Sequence, residues 1–139
     1  MNMNQSPLLK WLADLFNPRQ PKTNLPFRLT KKRYTLLRKQ AKQLVMERLE
    51  HFNLFYNFSY KKVFIKNQKT RWGSCSTNRN LNFNYNILFL PTHLQDYLVV
   101  HELCHLQEMN HGQDFWNLVA RQIPDYKNCA KELRATRMR

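Results

Sequence analysis

His101-Glu102-Leu103-Cys104-His105 places two imidazoles four residues apart, with a carboxylate directly after the first. Residues at i and i+4 share a face of an α-helix, so the two rings can converge on one metal ion. Glu102 then stands where it can accept a proton from a water held at that metal, as a general base. Imidazole nitrogen suits Zn2+, and a catalytic site needs three protein ligands with one position left for water. His111 is the candidate for the third ligand. It follows His105 by six positions, so the chain must turn to bring it back, and Asn110 tolerates the left-handed conformation such a turn uses. The expected cofactor is one Zn2+ per chain, held by His101, His105 and His111. Cys104 is turned by roughly a hundred degrees from His105 on a 3.6-residue helix and reads as a small buried thiol, not a fourth ligand. His51 and His93 read as surface or helix-end residues.

These side chains need a helix beneath them and a scaffold behind it. Thr92 and Gln95 have capping-box spacing, so a helix is expected to start after Pro91 and run to about Met109, with apolar Tyr97-Leu98-Val99-Val100 ahead of the motif. Two further helices are expected near 113–123 and 127–137, separated by Pro124-Asp125. Upstream, Tyr34, Leu37, Ala41, Leu44, Val45, Leu49 and Phe52 recur at three- and four-residue steps, predicting a helix over 30–52 with Thr30 as its N-cap. Lys62–Lys66 reads as a short strand. Leu81–Ile87 alternates apolar and polar, the period of a half-buried strand, with Asn82, Asn84 and Asn86 on the polar face. Thr70–Arg79 between them is turn-rich. A helix, then strands, then helices is an α+β order, not a βαβ alternation.

The chain has 139 residues, 42% of them hydrophobic, enough for one core without disulfides. Residues 1–26 read as an appendage: Ser6-Pro7 opens a short amphipathic helix through Phe16, and Pro18, Pro21 and Pro26 mark a linker. The domain proper is expected over 27–139. No stretch approaches the ~20 apolar residues of a transmembrane helix, and the N-terminus lacks a secretion signal. Three cysteines, an odd number set far apart, fit a reducing compartment, so a cytoplasmic location is expected. Twenty-three Lys and Arg against nine Asp and Glu give +14, which points to an anionic partner or substrate. Lys31, Lys32, Arg33, Arg38, Lys39 and Lys42 lie on the polar face of the first long helix. They are the candidate nucleic-acid contacts, weighed against an ordinary solvated face.

Thr70-Arg71-Trp72-Gly73-Ser74-Cys75, Tyr97-x-x-x-His101-Glu102-Leu103-Cys104-His105, Asn110-His111-x-x-x-Phe115-Trp116 and Pro124-x-Tyr126 together resemble the YgjP-like metallopeptidase family, which is related to the SprT-like zinc proteases. The likeness spans about residues 34–133, while 1–30 do not look like the longer β-rich segment that members carry ahead of the first helix. It implies a zincin-like fold with a small antiparallel-containing sheet packed on the HExxH helix and flanking helices. It also implies His101, His105 and His111 as zinc ligands, Glu102 as the catalytic carboxylate, and Arg71-Trp72-Gly73-Ser74 as a loop near the site.

The function expected from these readings is zinc-dependent hydrolysis of a peptide or protein substrate. Arg71, Gly73 and Ser74 are candidates for oxyanion or substrate contacts. Leu81–Ile87 is the expected edge for a substrate strand, and Asn84 a candidate contact on it. The alternatives are a metal-dependent hydrolase of nucleotide or phosphoanhydride substrates, weakened by the lack of a glycine-rich phosphate loop, and a nucleic-acid-associated zinc protein.

Overall fold

A computed structural model of the chain describes residues 29–138. The expected N-terminal helix and proline linker lie outside the described residues. Helix α1 spans Lys31–Tyr56, strand β1 Val63–Lys66, β2 Gly73–Cys75 and β3 Leu81–Asn84; a 3-10 turn covers Tyr85–Phe89, and α2 (Thr92–Cys104), α3 (Gln113–Ala120) and α4 (Tyr126–Ala135) follow. This is the expected α+β class.

Thr30 caps α1 as predicted, its side chain accepting from the Arg33 amide. The helix runs four residues beyond the expected Phe52 and stops at Asn57, which adopts a left-handed conformation with φ 54°. Leu37, Ala41, Val45, Leu49, Phe52 and Tyr56 form its buried face. The sheet order is β1-β3-β2, with β1 parallel and β2 antiparallel to β3. Val63 pairs with Leu81, Ile65 with Phe83, and Gly73 with Phe83, so these residues share the face on which the helices pack.

Leu81–Ile87 departs from its expectation. The strand ends at Asn84 and coils into the 3-10 turn, and every residue from Leu81 to Ile87 is buried. The asparagines are therefore not a solvated face. Asn82 Nδ2 donates to Ser74 Oγ at 3.2 Å, and Asn84 Nδ2 donates to the carbonyls of Gln68 and, at 3.1 Å, Arg71. Asn84 Oδ1 accepts from the Asn86 amide and side chain at 3.0 and 2.9 Å. The apolar-polar alternation is real, but its polar members are spent on bonding Ser74, the 68–71 loop and one another.

Three contacts tie the helices into this frame. Arg48 of α1 pairs with Asp96 of α2 at 2.6 Å, the Tyr56 hydroxyl of α1 donates to the Leu118 carbonyl of α3 at 2.7 Å, and Gln95 Nε2 of α2 donates to the Ile87 carbonyl at 3.0 Å. The last bond corrects the capping box: Pro91 is the N-cap, Thr92 is already helical, and Gln95 reaches back to the 3-10 turn instead.

Candidate metal centre

Helix α2 carries His101 in its last turn and ends at Cys104, short of the expected Met109. The cause is a tightening of the backbone: the Leu106 and Gln107 amides donate to the carbonyls three residues back, Leu103 and Cys104, at 3.1 Å each. Asn110 takes no part through a left-handed conformation, since Asn57 and Arg79 are the positive-φ non-glycine residues among those described. Arg79, at the β2–β3 turn, braces this corner, its guanidinium donating to the carbonyls of Ser59 at 2.7 Å and Leu106 at 3.3 Å. Gly112 then opens α3.

The turn brings His111 onto the other two imidazoles. The Nε2–Nε2 distances are 3.2 Å for His101–His105, 3.2 Å for His101–His111 and 3.0 Å for His105–His111. Ligands at about 2.0–2.1 Å from a tetrahedral ion lie about 3.3–3.4 Å apart, so the triangle has the size of one ion's ligand set. Its protonation fits as well. The His105 Nδ1–H donates to the Glu108 carbonyl at 2.9 Å, and His101 Nδ1 lies 3.2 Å from the Tyr97 hydroxyl. A ring that donates from Nδ1 presents a bare lone pair at Nε2, and lone pairs crowded this closely call for a cation between them. Burial, then the neighbouring His105 and His111 rings, hold His101 neutral by lowering its pKa to about 3; burial also lowers His105. Among the described residues these three histidines are the cluster with metal-ligand geometry.

Aromatic side chains fix the rings in place. His105 stacks on Phe115 at 4.4 Å between centroids, and His111 stacks on Trp116 at 5.8 Å. Cys104 does not join the imidazoles: it is buried, and burial pushes its thiol up to about 12, with Tyr56 as hydrogen-bond partner.

Glu102 is 4% exposed, and burial alone raises its carboxyl to about 8. A cation bound at the adjacent imidazoles acts in the opposite sense and favours the carboxylate. Its side chain lies against β2, where a Cβ built on Gly73 would approach Glu102 Oε1 to 2.9 Å.

The remaining site expectations separate. Gly73 and Ser74 belong to strand β2, not to a loop, and Ser74 Oγ is engaged by Asn82. Arg71 is exposed and outside the residues lining the cleft beside the histidines, while its neighbour Trp72 does line it. Asn84 is buried, bonded to the 68–71 loop, and does not line the cleft beside the histidines. Leu81–Ile87 cannot receive a substrate strand, because β3 is the middle strand; among the described residues the edges are β1 and β2, and β2 is the one beside Glu102. Lys31, Lys32, Arg33, Arg38 and Lys39 are exposed on α1, but the Lys42 ammonium donates to the Val63 carbonyl and joins α1 to β1. His51 and His93 are exposed as expected, His93 against Glu132 at 2.8 Å. The cleft of about 310 Å3 is bounded by Trp72, Tyr97, His101, His111, Trp116, Ala130, Leu133 and Arg134. Of these, Arg134 carried no sequence signal.

A family model described as YgjP-like, metallopeptidase domain, matches residues 6–136. The chain belongs to the YgjP-like metallopeptidase family. The match extends well upstream of residue 34 and takes in most of the segment expected to differ from the family. Two solved structures are similar to this YgjP-like chain. The metallopeptidase zymogen abylysin of Pyrococcus abyssi is 23% identical, with 64% of this chain and 90% of that one covered at a TM-score of 0.59. The metallopeptidase zymogen jannalysin of Methanocaldococcus jannaschii is 25% identical, with 67% and 96% covered at a TM-score of 0.50. No curated protein matches the chain. The fold is thus that of zincin-like metallopeptidases, and no helix among the described residues is long and apolar enough to cross a membrane.

Proposed function

We propose that this chain is a zinc-dependent metallopeptidase in which His101, His105 and His111 hold one Zn2+ and Glu102 is the proton acceptor. The observation that carries the proposal is the triangle of Nε2 atoms, 3.0 to 3.2 Å on a side, next to a carboxylate that is 4% exposed. Zn2+ in such a site polarises a scissile carbonyl and makes a water acidic enough to attack at neutral pH. Glu102, on the turn between the two helical ligands, would accept the proton of the attacking water and return it to the leaving amine. Burial serves this role, since a carboxylate stripped of solvent partners is the stronger base. Tyr97 and the Glu108 carbonyl hold two of the rings in the tautomer that binds metal.

An extended substrate is best accommodated on β2. The Trp72 carbonyl accepts from Asn84 and the Ser76 amide donates to Asn80, so those groups face β3. The alternating Gly73 and Cys75 backbone groups then point outward, where a peptide strand can pair beside Glu102, and the Gly73 amide is the candidate oxyanion donor. A phosphoanhydride substrate has less support, because the chain's only glycines are Gly73, pressed against Glu102, and Gly112, at the start of α3. The catalytic unit on this reading is 27–139, with 1–26 appended. Three unpaired cysteines support a reducing, cytoplasmic setting.

Metal analysis and a protein-substrate assay test the proposal together. Purified protein should carry one Zn2+ per chain and hydrolyse an unfolded protein such as casein. Glu102→Gln should keep the metal and lose activity by at least about a hundredfold. Undiminished turnover in Glu102→Gln, or a metal content unchanged in His111→Ala, would sink it.

A further inference from the structure

The cleft beside the histidines holds chemistry that the hydrolytic step does not use. Its volume of about 310 Å3 has room for one large side chain. Trp72 and Trp116 line it together with Ala130 and Leu133 of α4, and Arg134 adds a charge to this apolar lining. Positions 130, 133 and 134 recur at i, i+3 and i+4, so one face of α4 offers the cleft two apolar side chains and one guanidinium. The aromatic lining is braced: Trp116 stacks on Tyr126 at 5.0 Å with planes 13° apart, and on His111. Arg134 makes no ion pair among the described residues; the pairs there are Arg48–Asp96 and His93–Glu132. None of the residues lining the cleft is acidic. Arg134 lines the same cleft as Tyr97, whose hydroxyl is the partner of His101, and as His101 itself.

We infer that this cleft is a specificity pocket for a substrate residue that bears a carboxylate, its hydrocarbon body against Trp72 and Trp116 and its carboxylate paired with Arg134. The inference rests on the peptidase reading above and names the substrate class for it. A guanidinium is permanently charged and presents a planar fork that matches a carboxylate and not its amide isostere. Tryptophan faces suit the methylene groups of an extended acidic side chain, or the side chain of a terminal residue. The carboxylate comes either from Asp or Glu within a chain or from a free C-terminus. A competing role exists for Arg134, which lies in the last turn of α4, where a cation favours the helix dipole. That role affects stability and leaves substrate preference untouched.

The experiment uses N-acetylated peptides that differ at one position, Glu, Gln, Lys or Leu, each made as C-terminal amide and as free acid. Zinc-loaded wild-type protein, Arg134→Gln, Arg134→Glu and Arg38→Gln are compared by kcat/KM. Binding of the same peptides to zinc-loaded Glu102→Gln, with and without Arg134→Gln, is read by tryptophan fluorescence. The expected result is an about tenfold preference for Glu over Gln, or for acid over amide, the two arms separating the two carboxylate sources. Arg134→Gln should abolish the preference, Arg134→Glu should shift it toward Lys, and Arg38→Gln, exposed on α1 and outside the cleft lining, should preserve it. A preference that survives Arg134→Gln, or one lost equally in Arg38→Gln through a change in net charge, overturns the pocket. Cleavage without any preference overturns the pocket and leaves the peptidase reading standing. Arg134-dependent binding of acidic peptides with no cleavage by wild-type protein does the reverse, and absence of both cleavage and binding overturns the inference.

Discussion

A Cβ at position 73 would lie 2.9 Å from the Asn82 carbonyl oxygen and 2.9 Å from Glu102 Oε1. The first contact is backbone in the middle strand and cannot yield as a flexible side chain does. Gly73→Ala must therefore push β2 away from β3 or displace the carboxylate. We expect a stability loss of about 1–3 kcal/mol by urea denaturation, together with a fall in turnover larger than the unfolded fraction explains. A second prediction concerns Tyr97, whose hydroxyl stands 3.2 Å from His101 Nδ1. Tyr97→Phe keeps the ring and removes the group that orients the imidazole. Zinc affinity, measured by competition with a chromogenic chelator, should drop about 10–100-fold; an unchanged affinity would show that the edge-on contacts with Phe115 and Trp116 suffice to hold His101.

Among the elements, the 81–89 segment shows what the sequence could and could not convey. The position of α1 is legible because its apolar residues recur at helical spacing, that of α2 from Pro91 and the apolar run ahead of the motif, and the histidine cluster because His at i and i+4 is chemically unusual. Thr30 is a cap whose signal is local. The alternation in Leu81–Ile87 states that successive residues differ, not that one face is wet. Asn84 is polar for a reason that lies elsewhere in the chain, in the unpaired carbonyls of Gln68 and Arg71. Strand β2 has only three residues and no apolar alternation, so its pairing with β3 exists only in three dimensions. Arg134 is one basic residue among 23 until α4 is set against α2. The proposed role of Asn84 has a measurable consequence. Asn84→Ala removes the side chain that bonds the Gln68 and Arg71 carbonyls and the buried Asn86 amide, and should cost about 1–3 kcal/mol in a denaturant titration. Wild-type stability in that variant would contradict the bonding seen here.

For the whole molecule, a charge of +14 on 139 residues is a standing repulsion, which ion pairs such as Arg48–Asp96 and His93–Glu132 offset only locally. One of these is exposed and depends on a protonated histidine. Salt therefore has more repulsion than attraction to screen. Raising NaCl from about 0.01 to 0.1 M shortens the screening length from about 30 to 10 Å, comparable with the size of the domain. The thermal midpoint should rise by about 3–5 °C over that range, a change that corresponds to roughly 1 kcal/mol for a chain of this length. A falling midpoint would mean that attractive pairs outweigh the excess charge. Metal adds a separable increment, because the imidazoles of α2 and the 105–112 turn are brought together only in the folded state. Free Zn2+ at a hundred times its Kd should stabilise the protein by about 2.7 kcal/mol. That increment should disappear on adding EDTA and be absent from His111→Ala, while the salt response persists in both. If His111→Ala keeps the zinc-dependent rise, the ion is bound elsewhere, and the triangle of imidazoles is not what holds it.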